Sequence, residues 1–302
     1  MRCVDHLSAE LPELWFAADA VYQDREAFDA AATARGYRRT TLISGRACQV
    51  GLLETETDLV VSVRGSDQGL DWVRNAMAWK RDIPEGGRMH AGFESHSRDL
   101  PAEAVAGVLA KLARQQFRVW LTCHSLGAGV GPRFARRLEM AGVYLSGVVP
   151  FAPPRTFDYQ AARLYNMTGA AVPPGELFDL DRSFAPSLPN TIPPSLPLGL
   201  RTLRVALSGD PVARVPPGRW GFGDCGVSGL LRPDGTLEVS ESAWQQERRE
   251  SPMGALRAVF GLFRLSAWQV AHVQPAYSAA IGKFAENRAG APLSRIAAGL
   301  TR

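Results

Sequence analysis

The sequence predicts an α/β protein with a mostly parallel central sheet and helices on both of its faces. Short apolar runs at 59–63, 117–122, 143–151 and 202–207 have the length and composition of buried strands. Stretches with helical periodicity lie between these runs, and such alternation is typical of parallel strands joined by helices. The chain has 302 residues, 46% of them hydrophobic, which is enough to bury one large core. We therefore expect a single domain over residues 1–302.

The predicted helices are recognised by apolar residues that return every three or four positions. One of them carries Leu70, Val73 and Met77 at this spacing, and Pro12 suits the first turn of another. The predicted helix at 129–140 follows the predicted strand at 117–122 after a sharp turn. The predicted helices span residues 11–32, 69–79, 100–115 and 129–140.

Two later segments depart from this alternation. Residues 172–199 contain seven prolines, too many for a helix or a central strand. We expect this segment either to cap the carboxyl edge of the sheet or to be a plain surface insertion. Residues 227–267 are expected to insert a hairpin, with its turn at 232–236, and then a helix.

The helix of the second segment carries an apolar stripe with arginines beside it. Packing onto the core explains such a stripe, and contact with an anionic lipid surface is the alternative. The stripe consists of Leu256, Val259, Phe260 and Phe263, and the arginines are Arg257 and Arg264.

Composition and charge exclude several other functions. The formal net charge is +4, but the basic residues are scattered, so we expect a weakly basic soluble surface and no nucleic-acid partner. The four cysteines lie far apart, without a C-x-x-C pair or histidines at zinc-site spacing, and no metal is predicted. No stretch approaches the roughly 18 apolar residues of a membrane span, and none resembles a secretory signal. We expect no transmembrane segment, and either a cytoplasmic location or export without a signal peptide.

The strongest local signal is Cys123-His124-Ser125-Leu126-Gly127, which stands between a predicted strand and a predicted helix. A serine on such a strained turn projects its hydroxyl away from the backbone, above the helix N-terminus, and is a candidate nucleophile. Cys123 occupies the position where the G-x-S-x-G pattern has its first glycine. Because a pentapeptide of this kind also occurs by chance, the surrounding sequence has to decide.

Six stretches, taken in chain order, resemble the class 3 lipases. The elbow Thr122-Cys123-His124-Ser125-Leu126-Gly127 looks like the family's T-G-H-S-L-G, and His90-Ala91-Gly92-Phe93 matches its H-x-G-F. The chain departs from the family at Asp224-Cys225-Gly226, where relatives often have H-x-G. The resemblance implies the α/β-hydrolase fold, with a lid or cap over the carboxyl edge of the sheet. The matching stretches are 60–66, 71–72, 90–93, 122–127, 150–155 and 204–217, with a further short match around His272.

The base and the acid follow from chain order in this fold, where the triad runs serine, acid, histidine. A serine hydroxyl needs a base within hydrogen-bond reach, and of the five histidines only His272 follows Ser125. Asp210 follows a predicted strand and matches the family's N-D-x-V, so we expect it to orient His272, although Asp-Pro also starts turns. Weaker candidates for the acid are Asp179, Asp181 and Asp224.

The resemblance also assigns the oxyanion hole and the lid. The N–H of Leu126 and the residue Ser66 are expected to stabilise the tetrahedral oxyanion, and Ser66 is alternatively a plain turn residue. His90 and His124 are expected to be scaffold residues, and Cys123 a buried hydrophobe. The lid helix directly follows Ser66 and is expected to cover an acyl pocket with Leu70, Asp71, Trp72, Val73 and Met77.

The sequence thus predicts a serine hydrolase that cleaves carboxylic esters through an acyl-enzyme, without metal or cofactor. By resemblance, its substrates are triacylglycerols or other acyl lipids, and peripheral contact with lipid surfaces is expected. Phospholipase A1 or small-ester esterase activity remains open. So does a catalytically dead lipid- or protein-binding module on the same scaffold, for which the departures at Cys123 and Asp224 leave room.

Overall fold

The protein is seen in a computed structural model that describes residues 3–45, 48–64, 79–100, 104, 107–108, 111, 117–169, 196–240, 242–244 and 274–289. Within these residues the strands are β1 (Arg39–Ser44), β2 (Gln49–Glu54), β3 (Asp58–Arg64), β4 (Lys80–Asp82), β5 (Arg88–His90), β6 (Arg118–His124), β7 (Leu145–Phe151), β8 (Phe157–Asp158), β9 (Leu203–Leu207), β10 (Phe222–Gly223), β11 (Val227–Leu231) and β12 (Leu237–Val239). The helices are α1 (Cys3–Ala9), α2 (Leu11–Ala20), α3 (Arg25–Ala34), α4 (Ala91–Arg98), α5 (Leu126–Met140), α6 (Tyr159–Met167) and α7 (Gln274–Ala289), and short 3-10 helices cover Val212–Arg214 and Gly218–Trp220.

The central sheet contains eight of the described strands, in the order β1-β2-β3-β6-β7-β9-β11-β12. Neighbours from β3 through β11 run parallel, whereas β1 and β2 at one edge and β12 at the other run antiparallel. The four strands predicted from apolar runs are β3, β6, β7 and β9. The predicted fold class, a mostly parallel sheet, is confirmed.

Helices cover both faces of this sheet, as a two-sided parallel sheet requires. On one face α2 packs across β3, β6 and β7, and α7 packs against α2. On the other face α5 packs across β3, β6 and β7, with α4 beside it. Each face has its own buried apolar cluster, and the central strands contribute to both. None of the helices in the described ranges is both long enough and apolar enough to span a membrane.

The first predicted helix, 11–32, is two helices in the structure. Helix α2 ends at Ala20, and α3 begins after Asp24, whose carboxylate accepts a hydrogen bond from the Ala27 N–H at 2.9 Å. An aspartate in this position satisfies an N–H that the first helical turn leaves without an acceptor. The capping residue, which the apolar periodicity does not reveal, therefore divides the segment.

A second, smaller sheet joins four of the described strands antiparallel, in the order β10-β8-β5-β4. Trp79 leads into β4, and its carbonyl oxygen accepts a hydrogen bond from the Ala91 N–H at 2.9 Å. Trp79, the last residue of the predicted helix 69–79, is therefore not helical. The other residues of that prediction lie outside the described residues.

The hairpin expected within 227–267 forms the last two strands of the central sheet. Its turn is closed by the Arg232 N–H, which donates to the Thr236 carbonyl oxygen at 2.8 Å, and Gly235 adopts a φ of +85° there. Strand β11 pairs in parallel with β9, so the hairpin continues the sheet. The helix with the apolar stripe, most of the proline-rich segment 172–199 and most of the predicted helix 100–115 lie outside the described residues.

Candidate active site

Ser125 stands on the sharp turn between β6 and α5. Its backbone has φ +56° and ψ −119°, a conformation that is uncommon for any residue other than glycine and stores roughly 1–3 kcal/mol of strain. The Ser125 N–H donates to the carbonyl oxygen of Phe151, the last residue of β7, at 3.1 Å. The predicted order of strand, tight turn and helix is confirmed, and the turn lies in the middle of the sheet's carboxyl edge.

The cysteine that departs from the elbow pattern is accommodated by a glycine on the facing helix. A Cβ added to Gly131 of α5 would lie 2.5 Å from the Cys123 sulfur, so only glycine leaves room for it. Cys123 is completely buried, and burial raises the pKa of its thiol well above the usual value. It packs as a small hydrophobe, as predicted, because a thiol in such surroundings stays protonated.

Leu126 is the first residue of α5, so its N–H points out of the helix without an intrahelical acceptor. This N–H lies at the positive end of the helix dipole, where negative charge is stabilised. The neighbouring strand β3 runs parallel to β6, with Val63 opposite Cys123. Strand β3 therefore ends, at Arg64, on the same edge of the sheet as Ser125, where Ser66 was predicted to act. Ser66 itself lies outside the described residues.

Asp210 follows β9 in a tight turn and is only 2% exposed. Its carboxylate accepts two hydrogen bonds, from the Val212 N–H to Oδ1 at 2.9 Å and from the Tyr277 hydroxyl to Oδ2 at 2.7 Å. Gly209, with a φ of +86°, allows the turn that points Asp210 back over the strand end. The structure thus describes a buried carboxylate, fixed on both oxygens, at the carboxyl edge of the sheet.

Tyr277 ties the acid to helix α7. Its hydroxyl accepts a hydrogen bond from the Leu207 N–H at 2.9 Å while it donates to Asp210. Burial, and then the negative charge of Asp210, raise the pKa of Tyr277 well above its usual value, so the phenol keeps the proton that it donates. Tyr277 lies five residues after His272, and nothing local in the sequence connects it to Asp210.

Ser125 follows β6 and Asp210 follows β9, and only β7 lies between these two strands. The axes of β6 and β9 are therefore roughly 10 Å apart. Two backbone hydrogen bonds bridge this interval. The Ser125 N–H donates to Phe151, and the next residue, Ala152, donates to the Val205 carbonyl oxygen of β9 at 2.9 Å. An imidazole placed between the two side chains would span such a gap. His272 precedes α7 by two residues and lies outside the described residues.

His124 contributes to an aromatic cluster beneath the elbow. Its ring meets Trp15 edge-on at 5.3 Å and Tyr277 at 5.6 Å, and its carbonyl oxygen accepts a hydrogen bond from the Tyr22 hydroxyl at 3.0 Å. Trp15 also stacks on Tyr277 and donates from its indole N–H to Ser278 at 2.9 Å. The histidine is buried among these rings, in the scaffold position that was predicted.

The family model for class 3 lipases matches residues 60–220, more than half of the chain. The chain belongs to the class 3 lipase family. It is therefore a serine ester hydrolase with lipase-like chemistry, as the resemblance in the sequence had implied. No curated protein sequence matches the chain significantly.

Solved structures of fungal lipases are similar to this class 3 lipase over most of its length. A triacylglyceride lipase of Rhizomucor miehei is 17% identical, with a TM-score of 0.60 over 87% of this chain and 96% of the other. A fungal lipase–inhibitor complex, presented as a model for interfacial activation, is 18% identical, with a TM-score of 0.59 over 88% and 96%. A triacylglycerol lipase described as having a serine protease triad is 17% identical, with a TM-score of 0.56 over 87% and 96%. At these identities the likeness shows a shared fold.

Asp224, a weaker candidate for the acid, has a different setting in this lipase. Its carboxylate lies 3.2 Å from the Arg155 guanidinium and 2.8 Å from that of Arg204, and both arginines are buried. Arg155 also donates to the carbonyl oxygens of Arg214 and Pro216, each at 2.8 Å, and so holds the segment that follows Asp210. Asp224 is therefore the counter-charge of two structural arginines.

His90, the other histidine predicted as scaffold, begins helix α4. Its Nδ1 accepts a hydrogen bond from the Gly92 N–H at 3.2 Å, and its ring packs against Phe93 and Phe222. Within the described residues no three histidine, cysteine, aspartate or glutamate side chains are grouped closely enough to hold a metal ion. The predicted site residues outside the described ranges are Ser66, His272, Leu70, Asp71, Trp72, Val73 and Met77, together with the weaker acids Asp179 and Asp181.

Proposed function

We propose that this lipase hydrolyses ester bonds of acyl lipids, with Ser125 as nucleophile, His272 as general base and Asp210 as the acid that orients the base. The observation that carries the proposal is the pairing of a strained elbow serine with a buried, doubly bonded carboxylate two strands along the same edge. A buried carboxylate needs hydrogen-bond donors in any role. The catalytic role is favoured because this one lies at the same edge of the sheet as the elbow serine and follows it in the chain order of the triad.

In the proposed reaction, the Ser125 oxygen attacks the ester carbonyl carbon while its proton passes to the His272 imidazole. The negative charge on the carbonyl oxygen is stabilised by the Leu126 N–H and by Ser66. Collapse of this intermediate breaks the ester bond, and the leaving alcohol takes the proton from the imidazolium. Water then repeats the sequence on the acyl-enzyme and releases the fatty acid.

Asp210 contributes by holding the imidazole in one tautomer and by stabilising the imidazolium that forms. One hydrogen bond comes from Val212 in the same turn and the other from Tyr277 on α7, so the carboxylate is tied to a separate helix as well as to its own loop. Because the base must be neutral to accept the serine proton, we expect the rate to rise with pH through one titration near neutrality.

Acyl lipids are proposed as substrates because the similar solved structures include proteins named as triacylglyceride and triacylglycerol lipases. The predicted lid residues Leu70, Trp72, Val73 and Met77 would supply an apolar cover for an acyl chain. Hydrolysis rates on triacylglycerols, phospholipids and short soluble esters, measured side by side, separate a lipase from a phospholipase A1 and from an esterase.

Labelling with a fluorophosphonate tests the nucleophile, since only an activated serine reacts quickly. We expect one labelled peptide, containing Ser125, and loss of labelling in Ser125→Ala and in His272→Ala. Ser228→Ala, which removes a buried hydroxyl elsewhere in the sheet, is the matched control and should label normally. Absence of labelling in the folded wild-type protein would indicate an inactive binding module on the same scaffold.

A further inference from the structure

The described part of the chain exposes four large hydrophobic side chains. They are Trp79 (80% exposed), Met140 (62%), Tyr159 (62%) and Trp220 (36%). A single exposed hydrophobic residue needs no explanation, but a group of them marks an interaction surface. Three of the four, Trp79, Tyr159 and Trp220, are connected through one short turn, and we call them the aromatic patch.

Three hydrogen bonds hold the aromatic patch together. Lys80 follows Trp79, and its ammonium donates to the carbonyl oxygens of Trp220 at 2.7 Å and Gly221 at 2.9 Å. The Tyr159 hydroxyl donates to the carbonyl oxygen of Gly218 at 2.9 Å. All three bonds end on the 3-10 helix that carries Trp220 or on Gly221, which directly follows it. The backbone beneath the three rings is thus fixed, although the rings themselves face solvent.

The charges around the aromatic patch are mostly positive. Arg219 directly precedes Trp220 and is exposed, and Arg163 is exposed one helical turn after Tyr159 on α6. No acidic residue occurs from 211 to 223. Arg88, also exposed on the small sheet, pairs with Asp158, which is buried. Rings and exposed cations therefore share one surface, with few exposed carboxylates.

The aromatic patch adjoins the proposed catalytic apparatus along the chain at two points. Trp79 comes two residues after Met77, the last of the predicted lid residues. Trp220 comes ten residues after Asp210 and four after Pro216, whose carbonyl oxygen Arg155 binds. Met140, the fourth exposed side chain, lies at the opposite end of α5 from Ser125. A helix of this length places it roughly 20 Å from the elbow.

We propose that the aromatic patch is the surface with which the protein binds anionic lipid bilayers or aggregates. Tryptophan and tyrosine favour the headgroup region, because an apolar ring and a polar edge suit that boundary. Arg219 would meet the phosphate groups of anionic lipids. The inference rests on the proposed function, since it presents the active site to its lipid substrate, but its test does not depend on catalysis.

The test is co-sedimentation with vesicles of phosphatidylcholine alone and of phosphatidylcholine mixed with phosphatidylglycerol. We expect the wild type and Ser125→Ala to bind the mixed vesicles equally. The double variant Trp79→Ala/Trp220→Ala should bind them at least about tenfold more weakly, because it loses two rings that leave water on binding. Met140→Ala, the matched control, should bind like the wild type. Arg219→Glu should weaken binding to the mixed vesicles and leave binding to phosphatidylcholine unchanged.

Hydrolysis of a short ester below its solubility limit separates this inference from the proposed function. The tryptophan double variant should keep the wild-type rate on that ester, because neither ring belongs to the proposed catalytic groups. The proposal would be overturned if the wild-type protein bound neither kind of vesicle. It would also be overturned if the double variant bound the mixed vesicles as strongly as Met140→Ala does. It would equally be overturned by a wild-type dimer that the double variant dissociates, since the aromatic patch would then join two copies of the chain.

Discussion

The carboxyl ends of β6 and β9 each present one proposed catalytic side chain, and they hold it by different means. At β6, Ser125 is held by backbone geometry: a positive φ, backbone hydrogen bonds to Phe151 and from Gly129, and tight packing of Cys123 against α5. At β9, Asp210 is held by hydrogen bonds to its carboxylate from two separate elements. The described hydrogen bonds of the serine are made by its backbone, while both oxygens of the acid's carboxylate accept hydrogen bonds.

This difference follows from what each group must do. A serine oxygen has to form and break a bond, and a rigid backbone positions it without occupying the oxygen itself. A carboxylate that orients another side chain acts through its position, so fixing its oxygens serves its task. Substitutions at the end of β6 should therefore change stability or activity by disturbing packing. Substitutions at the end of β9 should change them by removing polar contacts.

Asp210→Asn should have the largest effect, a fall in kcat of roughly 10⁴, because an amide at this position would hold the imidazole in the wrong tautomer. The measurement is steady-state hydrolysis of a short soluble ester, with circular dichroism to show that the fold is kept. Asp82→Asn, on an exposed strand, is the control and should retain full activity. A folded Asp210→Asn protein with near wild-type kcat would remove Asp210 from the proposed triad.

Asp224→Asn should act on stability instead. Without its negative charge the buried Arg155 and Arg204 lose their shared counter-charge, and we expect the free energy of unfolding to fall by about 3 kcal/mol. Urea unfolding measures the loss. Well below the unfolding transition, kcat should change little. Equal stability combined with a large loss of kcat would instead place Asp224 among the catalytic groups.

Tyr277→Phe tests how far the acid depends on its second donor. The variant keeps the ring in its stack with Trp15 but removes the hydrogen bonds to Asp210 and Leu207, which should cost about 2 kcal/mol of stability. The rate should fall by roughly tenfold, since Val212 still holds one carboxylate oxygen. Tyr165→Phe, which removes a buried hydroxyl bonded to Thr202, is the control for stability alone. Matching rates in the two variants would show that Tyr277 has no part in positioning the acid.

Gly131→Ala should have the smallest effect, a loss of about 1–3 kcal/mol, because the new methyl group would overlap the Cys123 sulfur. Adding Cys123→Ala should restore part of that stability, and a double-mutant cycle by thermal unfolding measures the coupling. Gly282→Ala, in open space on α7, is the matched control and should stabilise the protein by roughly 0.5–1 kcal/mol. Strictly additive effects of the two elbow substitutions would contradict the compensation inferred here.

The strands and the elbow could be predicted from the sequence because both are local features. A buried parallel strand is a short apolar run, and the run before Ser125 leads directly into the turn and helix that hold it. The division of the segment 11–32 was missed, since one capping aspartate decided it against continuous apolar periodicity. A capping aspartate can be recognised in the sequence. The sequence does not show whether it overrides a continuous apolar periodicity.

The setting of the acid could be predicted only in part. Chain order and the strand before it pointed to Asp210, but no local pattern identifies its partner Tyr277, 67 residues further along. The pairing of Asp224 with Arg155 and Arg204 was likewise hidden, because those residues come together only when β9 and β11 lie side by side. The match to the class 3 lipases located the candidate positions without giving their contacts.

The contact between helices α2 and α7 bears on the order in which the proposed catalytic groups are assembled. Trp15 bonds to Ser278 across 263 residues of chain, and the neighbouring Tyr277 fixes Asp210. The elbow, by contrast, needs only consecutive residues and the strands beside it. Contacts that close long loops form late in folding. During synthesis the nucleophile should therefore be shaped well before its acid is fixed, so that an unfinished chain does not yet hydrolyse esters inside the cell that makes it.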